Sequence, residues 1–241
     1  MSVNESPTNE NKPLNGWKLW ARGFLRILVI VGIMAGILFA ASGRIDWLAA
    51  WLLTFLYVIF LLIVIIWGYR NAPDLLRERG RMASNVKLWD KIINAVYAIL
   101  LIVLLIIAGL DAGRYGWSEM SLALQVLGAL GLILSGWVIW WTMAENAYLS
   151  RWARIQEDRG QRVVTGGPYR YIRHPMYAAI ILLVICIAIE LGSWWALIPG
   201  GLIGGLFVLR TALEDRMLHE ELAGYREYAA QVRYRLVPGI W

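Results

Sequence analysis

Six long stretches of the chain are almost free of charge: Phe24 to Ala41, Trp47 to Trp67, Ile92 to Leu110, Leu122 to Ala144, Met176 to Leu191 and Trp194 to Leu213. Most approach or exceed the roughly 20 residues an α-helix needs to cross a bilayer with its backbone hydrogen bonds satisfied internally. The pattern predicts an all-α fold, a polytopic membrane helical bundle of about six hydrophobic helices. Only Gly192 and Ser193 separate the last two runs, which predicts a tight antiparallel hairpin whose short first arm lies tilted or shallow. From Leu213 to Val232, Leu213, Met217, Leu218 and Leu222 recur at helical spacing among charges, so a C-terminal amphipathic helix continues or kinks off the last membrane helix. Between the second and third runs, the turn Asn71-Ala72-Pro73-Asp74 leads into LLRERGRM. That stretch predicts a short anchoring helix with Leu75, Leu76 and Met82 at headgroup level.

These patterns divide the chain into a polar tail expected to be disordered (1–15), N-terminal membrane helices (16–144) and a C-terminal part holding the candidate chemistry (145–241). The first apolar run is long, follows a polar Asn-rich stretch and precedes no small-residue cleavage pattern, so it is expected to stay as a helix. Gly32 with Gly36, and Gly201 with Gly205, are spaced for close helix packing. Trp17, Trp20, Trp47, Trp67, Trp117, Trp152, Trp194 and Trp195 lie near run ends and suggest interfacial belts.

Composition agrees: 59% of residues are hydrophobic and 17% charged. Every Lys and Arg except Arg44 and Arg114 falls on one side of the predicted topology, which places both termini in the cytoplasm, as for a multi-pass protein of a bacterial inner or plasma membrane. The net charge of +6 is thereby topological, and no basic-aromatic module points to nucleic acid. A single cysteine, Cys186, and two histidines exclude an internal disulfide and argue against a Cys/His zinc site; no metal is expected.

Two polar, basic and aromatic segments stand out: residues 145–175, and the stretch after the hairpin. The hairpin brings its own ends together, so the two should touch. In GGPYRYIRHPMY, Gly166 and Gly167 allow a turn, Pro168 stiffens it, and His174-Pro175 marks a helix start. Arg173 and His174 at that N-terminus read as a clamp for a carboxylate or phosphate; alternatively, the segment is an interfacial collar. Arg210 and Glu214 lie one turn apart where the last run meets the polar side. They form either an i, i+4 salt bridge worth about 0.2–0.5 kcal/mol or a site in which Arg210 faces an anionic acceptor and Glu214 a cation or ribose hydroxyls.

GPYRYIRHPMY, the hairpin, and then LRTALEDRMLHEEL together resemble the isoprenylcysteine carboxyl methyltransferase family and the wider group of membrane phospholipid methyltransferases, over about Gln156 to Trp241. The resemblance implies a helical membrane enzyme that binds S-adenosyl-L-methionine in a cytoplasmic pocket and takes a lipophilic acceptor from the bilayer. It implies a cofactor wall of Gln161, Val163, Val164, Tyr169, Arg173, His174, Pro175, Met176 and Tyr177, with Gln156 contributing, Glu214 as acidic cofactor contact and Arg210 facing the acceptor. The chain departs from the family in carrying Asp215 for a second glutamate, Leu222-Ala223 for a Phe-Gly pair, and Ala178-Ala179 where a glycine is common.

Methyl transfer from a sulfonium is an in-line displacement that chiefly demands alignment and exclusion of water. A carboxylate acceptor is ionised at neutral pH and needs only positioning by Arg210; an amine needs a proton acceptor, for which Glu214 is the candidate. A nicotinamide-dependent membrane reductase using NADPH and a non-enzymatic membrane scaffold remain as alternative readings.

Overall fold

The computed structural model describes residues 16–80 and 86–241. The expected tail, Arg81 and Met82 lie outside the described residues, as do the side chains of Trp17 and Trp20. Among the described residues there are eight α-helices and no strand: α1 (Gly16–Ser42), α2 (Leu48–Asn71), α3 (Pro73–Gly80), α4 (Leu88–Ala108), α5 (Leu122–Glu145), α6 (Pro175–Glu190), α7 (Leu197–Glu221) and α8 (Tyr225–Gln231). Five are long and apolar enough to cross a membrane, and α6 is a shorter apolar helix of 16 residues. The six predicted hydrophobic helices are therefore present. Leu25, Leu28, Ile33 and Phe55 point outward, as expected of surface solvated by lipid tails.

Close approach between helices is carried by glycines other than those predicted. Nothing lies within 4 Å of a Cβ built on Gly32, Gly36, Gly201 or Gly205. Gly128 and Gly131 instead seat α5 on α6: a Cβ on Gly128 would meet the Glu190 backbone nitrogen at 2.6 Å, and one on Gly131 would overlap Cys186 Sγ. Gly109 and Gly113 lie on a π-helical turn, Gly109–Tyr115, that prolongs α4, and they press on Ala41 and Ser42 at the end of α1. The spacing was readable, but which of several glycine pairs faces a neighbour depends on helix rotation. The core of this assembly is Leu38, Ala50, Leu53, Leu104, Ala108, Val184, Ile203 and Phe207.

Three further expectations are corrected. The hairpin link runs from Leu191 to Ala196, because Trp194 and Trp195 form a turn ahead of α7 rather than its first residues. The amphipathic stretch is not one helix: α7 continues to Glu221, then Gly224 at φ 80° turns the chain into α8. Helix α3 packs on protein rather than lipid headgroups: Leu75 is buried with Val64, Met143 and Met176, Leu76 lies against Gly68, and Glu78 pairs with Arg154 at 2.8 Å. Of the belt tryptophans, Trp117, Trp194 and Trp195 are exposed, whereas Trp47 is buried in the core.

Candidate active site

The hairpin brings the start of α6 against the polar half of α7, as its connectivity demands. Between them and α3, α4 and the 146–164 loop lies a cavity of about 720 Å³. That is within the range of small-molecule sites. Every residue expected to form the site lines it: Gln156, Gln161, Val163, Val164, Tyr169, Arg173, His174, Pro175, Met176, Tyr177, Arg210 and Glu214. The cavity is two-faced. Gln161, Tyr169, His174 and Glu214 form a polar end, while Tyr97, Leu101 and Phe207 form an apolar one that reaches Ile30 and Ile102. The latter two are each 45% exposed on the flank of the bundle, so the apolar end opens toward the surface that lipid tails would cover.

At the polar end the expected anion clamp is already closed by the protein itself. Asp215, 2% exposed, accepts hydrogen bonds from Tyr225 Oη (2.8 Å), Arg235 Nε (2.9 Å) and Arg173 Nη2 (3.3 Å), and lies 3.3 Å from His174 Nε2. Arg173 Nε lies 3.1 Å from the same carboxylate but off the hydrogen-bonding line. The backbone is committed too: Arg173 N–H donates to Tyr234 O and His174 N–H to Arg235 O, both at 2.9 Å. Arg173 and His174 line the cavity, but they clamp an internal carboxylate from α7. The His174 ring stacks parallel to Tyr177, 4° between planes, and so stiffens the wall.

Arg210 and Glu214 do not pair with each other. The Arg210 guanidinium stands 5.1 Å over the Tyr177 ring, with Nη2 2.7 Å from Asp90 Oδ1 and donating to Arg151 O at 3.0 Å, and Nη1 donating to Asn94 Oδ1 at 3.2 Å. Its Nε is buried without a partner. Glu214 accepts a short hydrogen bond from Tyr177 Oη and is, among the described residues, the only acidic side chain lining the cavity. The i, i+4 geometry permitted a salt bridge, but α4 supplies a better-buried counter-ion, since Asp90 is fully buried and also accepts from Ala153 N–H at 2.9 Å.

The loop wall has its own supports. Gly167 has φ 53°, and a side chain on Gly166 would overlap Glu145, so the paired glycines are required by the turn. Tyr169 Oη accepts from Asn146 Nδ2 at 2.8 Å, and Tyr228 Oη donates to Tyr169 O at 2.8 Å. Burial pushes the phenols of Tyr169, Tyr225 and Tyr228 well above the ordinary tyrosine range, which keeps them neutral. Val163 and Val164 pack on the aromatic cluster of α8. Gln156, 1% exposed, is a loop staple: its Nε2 donates to Tyr148 O, and its Oε1 accepts from Arg159 Nη1 at 2.7 Å. Gln161 Oε1 accepts from Gln156 N–H at 2.7 Å.

Asp90, Asn94 and Asp215 are central here and were missed as site residues. Asp90 and Asn94 had a signal: a carboxylate and an amide four apart in the first two turns of a helix that is almost wholly apolar beyond them. Asp215 was seen only as a charge-preserving replacement. No curated protein matches the chain. Residues 123–223, which carry the RHPMY turn, the hairpin, Arg210 and Glu214, match the family model for phospholipid methyltransferase, and through that segment the chain is similar to the integral-membrane methyltransferases.

Proposed function

We propose that the protein is an integral-membrane, S-adenosylmethionine-dependent methyltransferase acting on a lipophilic acceptor, with residues 145–241 as its chemical core and the cavity facing the cytoplasm. The observation that carries this reading is one cavity with a polar end around Glu214 and an apolar end open to the flank at Ile30 and Ile102. A soluble cofactor and a lipid tail can enter such a cavity from different phases. The residues fit the cofactor: Glu214 offers a carboxylate for its cationic groups, Tyr169, His174 and Tyr177 present aromatic surface, and Gln161, whose Oε1 is held by the Gln156 N–H, adds an amide donor at Nε2.

When bound, the cofactor would supply an electrophilic methyl group on a sulfonium, to be taken by a lone pair of the acceptor heteroatom with a neutral thioether as the leaving group. Tyr177 fixes the Glu214 carboxylate, and Asp90 and Asn94 fix Arg210, so both groups are preorganised. Phe207 and Tyr97 pack edge to face at 5.3 Å and keep the acceptor's end of the cavity dry. For an amine acceptor Glu214 takes the released proton; for a carboxylate or thiolate none is released. The test is incubation of the purified protein with methyl-labelled S-adenosylmethionine and the host's total lipid extract, with identification of the labelled lipid. Calorimetry with S-adenosylhomocysteine should show binding that Glu214→Gln weakens about tenfold or more. Binding of NADPH with none of S-adenosylhomocysteine would overturn the proposal.

A further inference from the structure

Six arginines line the cavity: Arg79, Arg151, Arg154, Arg162, Arg173 and Arg210. The fold neutralises three of them, Arg154 through Glu78 and Asp158, Arg173 through Asp215, and Arg210 through Asp90. Arg151 and Arg162 are exposed to solvent. Arg79 differs from all of these. It sits in the last turn of α3, is partly buried, and has no hydrogen bond or ion pair among the described residues. Its surroundings are Tyr177 and Tyr169, which are neutral, and the cations Arg151 and Arg210. Desolvation, with those two cations adding to it, depresses the Arg79 pKa, as expected of a positive charge lacking its counter-ion.

We infer that Arg79 is the anion-recognising residue of the cavity: it binds a singly charged oxyanion, carboxylate or phosphodiester, beside the site of methyl transfer. The inference rests on the methyltransferase reading for the position of the transfer but not for the anion itself. A guanidinium receives a carboxylate or a phosphate through two parallel hydrogen bonds, and Arg210, neutralised by Asp90 and with both terminal nitrogens already held by Asp90, Asn94 and Arg151 O, has no such terminal fork to offer. Arg79 lies outside residues 123–223, so the anion specificity it confers belongs to the N-terminal half of the chain. Two molecules can supply the oxyanion: the cofactor, through its amino-acid carboxylate, or a phospholipid acceptor, through its headgroup.

The test compares wild type, Arg79→Lys and Arg79→Gln in detergent micelles, by calorimetry with four probes. S-adenosylhomocysteine carries the carboxylate and 5′-methylthioadenosine lacks it; phosphatidylethanolamine carries the phosphodiester and oleylamine lacks it. Loss of charge-assisted hydrogen bonds should weaken one oxyanion probe roughly ten- to a hundredfold in Arg79→Gln, less in Arg79→Lys, with no comparable weakening of its matched probe that lacks the oxyanion. Weakening confined to S-adenosylhomocysteine assigns the cofactor's carboxylate; weakening confined to phosphatidylethanolamine assigns the headgroup. In wild type the same probe should protect Arg79 from phenylglyoxal, read by mass spectrometry, which decides the matter if the variants fail to fold. Undiminished affinity for both oxyanions in a folded Arg79→Gln, or no protection by either, overturns the inference. Wild-type binding of phosphatidylethanolamine but not S-adenosylhomocysteine would sink the methyltransferase reading and leave Arg79 standing.

Discussion

Asp215→Asn replaces a carboxylate by a group of the same shape and isolates the electrostatic role of the hub beneath the RHPMY turn. The native carboxylate is 2% exposed, has two good contacts, Tyr225 at 2.8 Å and Arg235 at 2.9 Å, and two longer ones, Arg173 and His174, each at 3.3 Å. The amide leaves Arg173, itself only 7% exposed, as a buried cation without its counter-charge, and turns one acceptor into a donor aimed at other donors. Breaking a buried ion pair from one side costs about 3–5 kcal/mol. Arg235 is about a third exposed, so water compensates part of its loss, and the lower half of that range is expected. In a chain of 241 residues, about 3 kcal/mol corresponds to a fall in Tm of roughly 6–12 °C. Differential scanning fluorimetry in a fixed detergent reads it. A fall smaller than about 2 °C would refute the reasoning, because Arg173 and His174 would then not depend on Asp215 for their position. His174→Ala tests the same hub from the other side and should lower Tm as well as ligand affinity.

Other consequences are open to measurement. Asp90→Ala leaves Arg210 buried and unpaired and should cost about 3–5 kcal/mol, whereas Asp90→Ala combined with Arg210→Met should cost clearly less than the sum of the single changes; additive losses would mean that the pair is not coupled. Gly128→Ala should destabilise by about 1–3 kcal/mol because the methyl meets the Glu190 backbone, while Gly201→Ala, with open space around it, should be neutral or stabilise by up to about 1 kcal/mol; the reverse ranking in thermal scans would show that α5 and α6 are packed differently. The tyrosines with raised pKa values bind their protons more tightly folded than unfolded, so their contribution is complete below the unfolded value of 10.0 and is lost as pH rises above it. Tm should therefore drop above about pH 10, and Tyr225→Phe, whose ring keeps the packing, should show a shallower drop; identical alkaline slopes for the two proteins would contradict this.

Much of the molecule was written in its linear pattern. Apolar run length decided the six hydrophobic helices, because a helix in lipid has to satisfy its backbone within itself. Connectivity alone brought Arg173 and His174 together with Arg210 and Glu214, since a hairpin returns its two ends to one place. Pairings across the bundle were not legible. Arg210 could have bonded Glu214 one turn away, yet it takes Asp90 from α4, more than a hundred residues distant, because that carboxylate is buried and therefore in a medium where the attraction is strong. Arg173 and His174 looked free to hold an external anion until the tertiary structure brought Asp215 and Arg235 against them. Residue type and spacing determined which groups meet at the mouth of the bundle; burial and helix rotation decided which of those charges cancel and left the partly buried Arg79 with no counter-ion among the described residues.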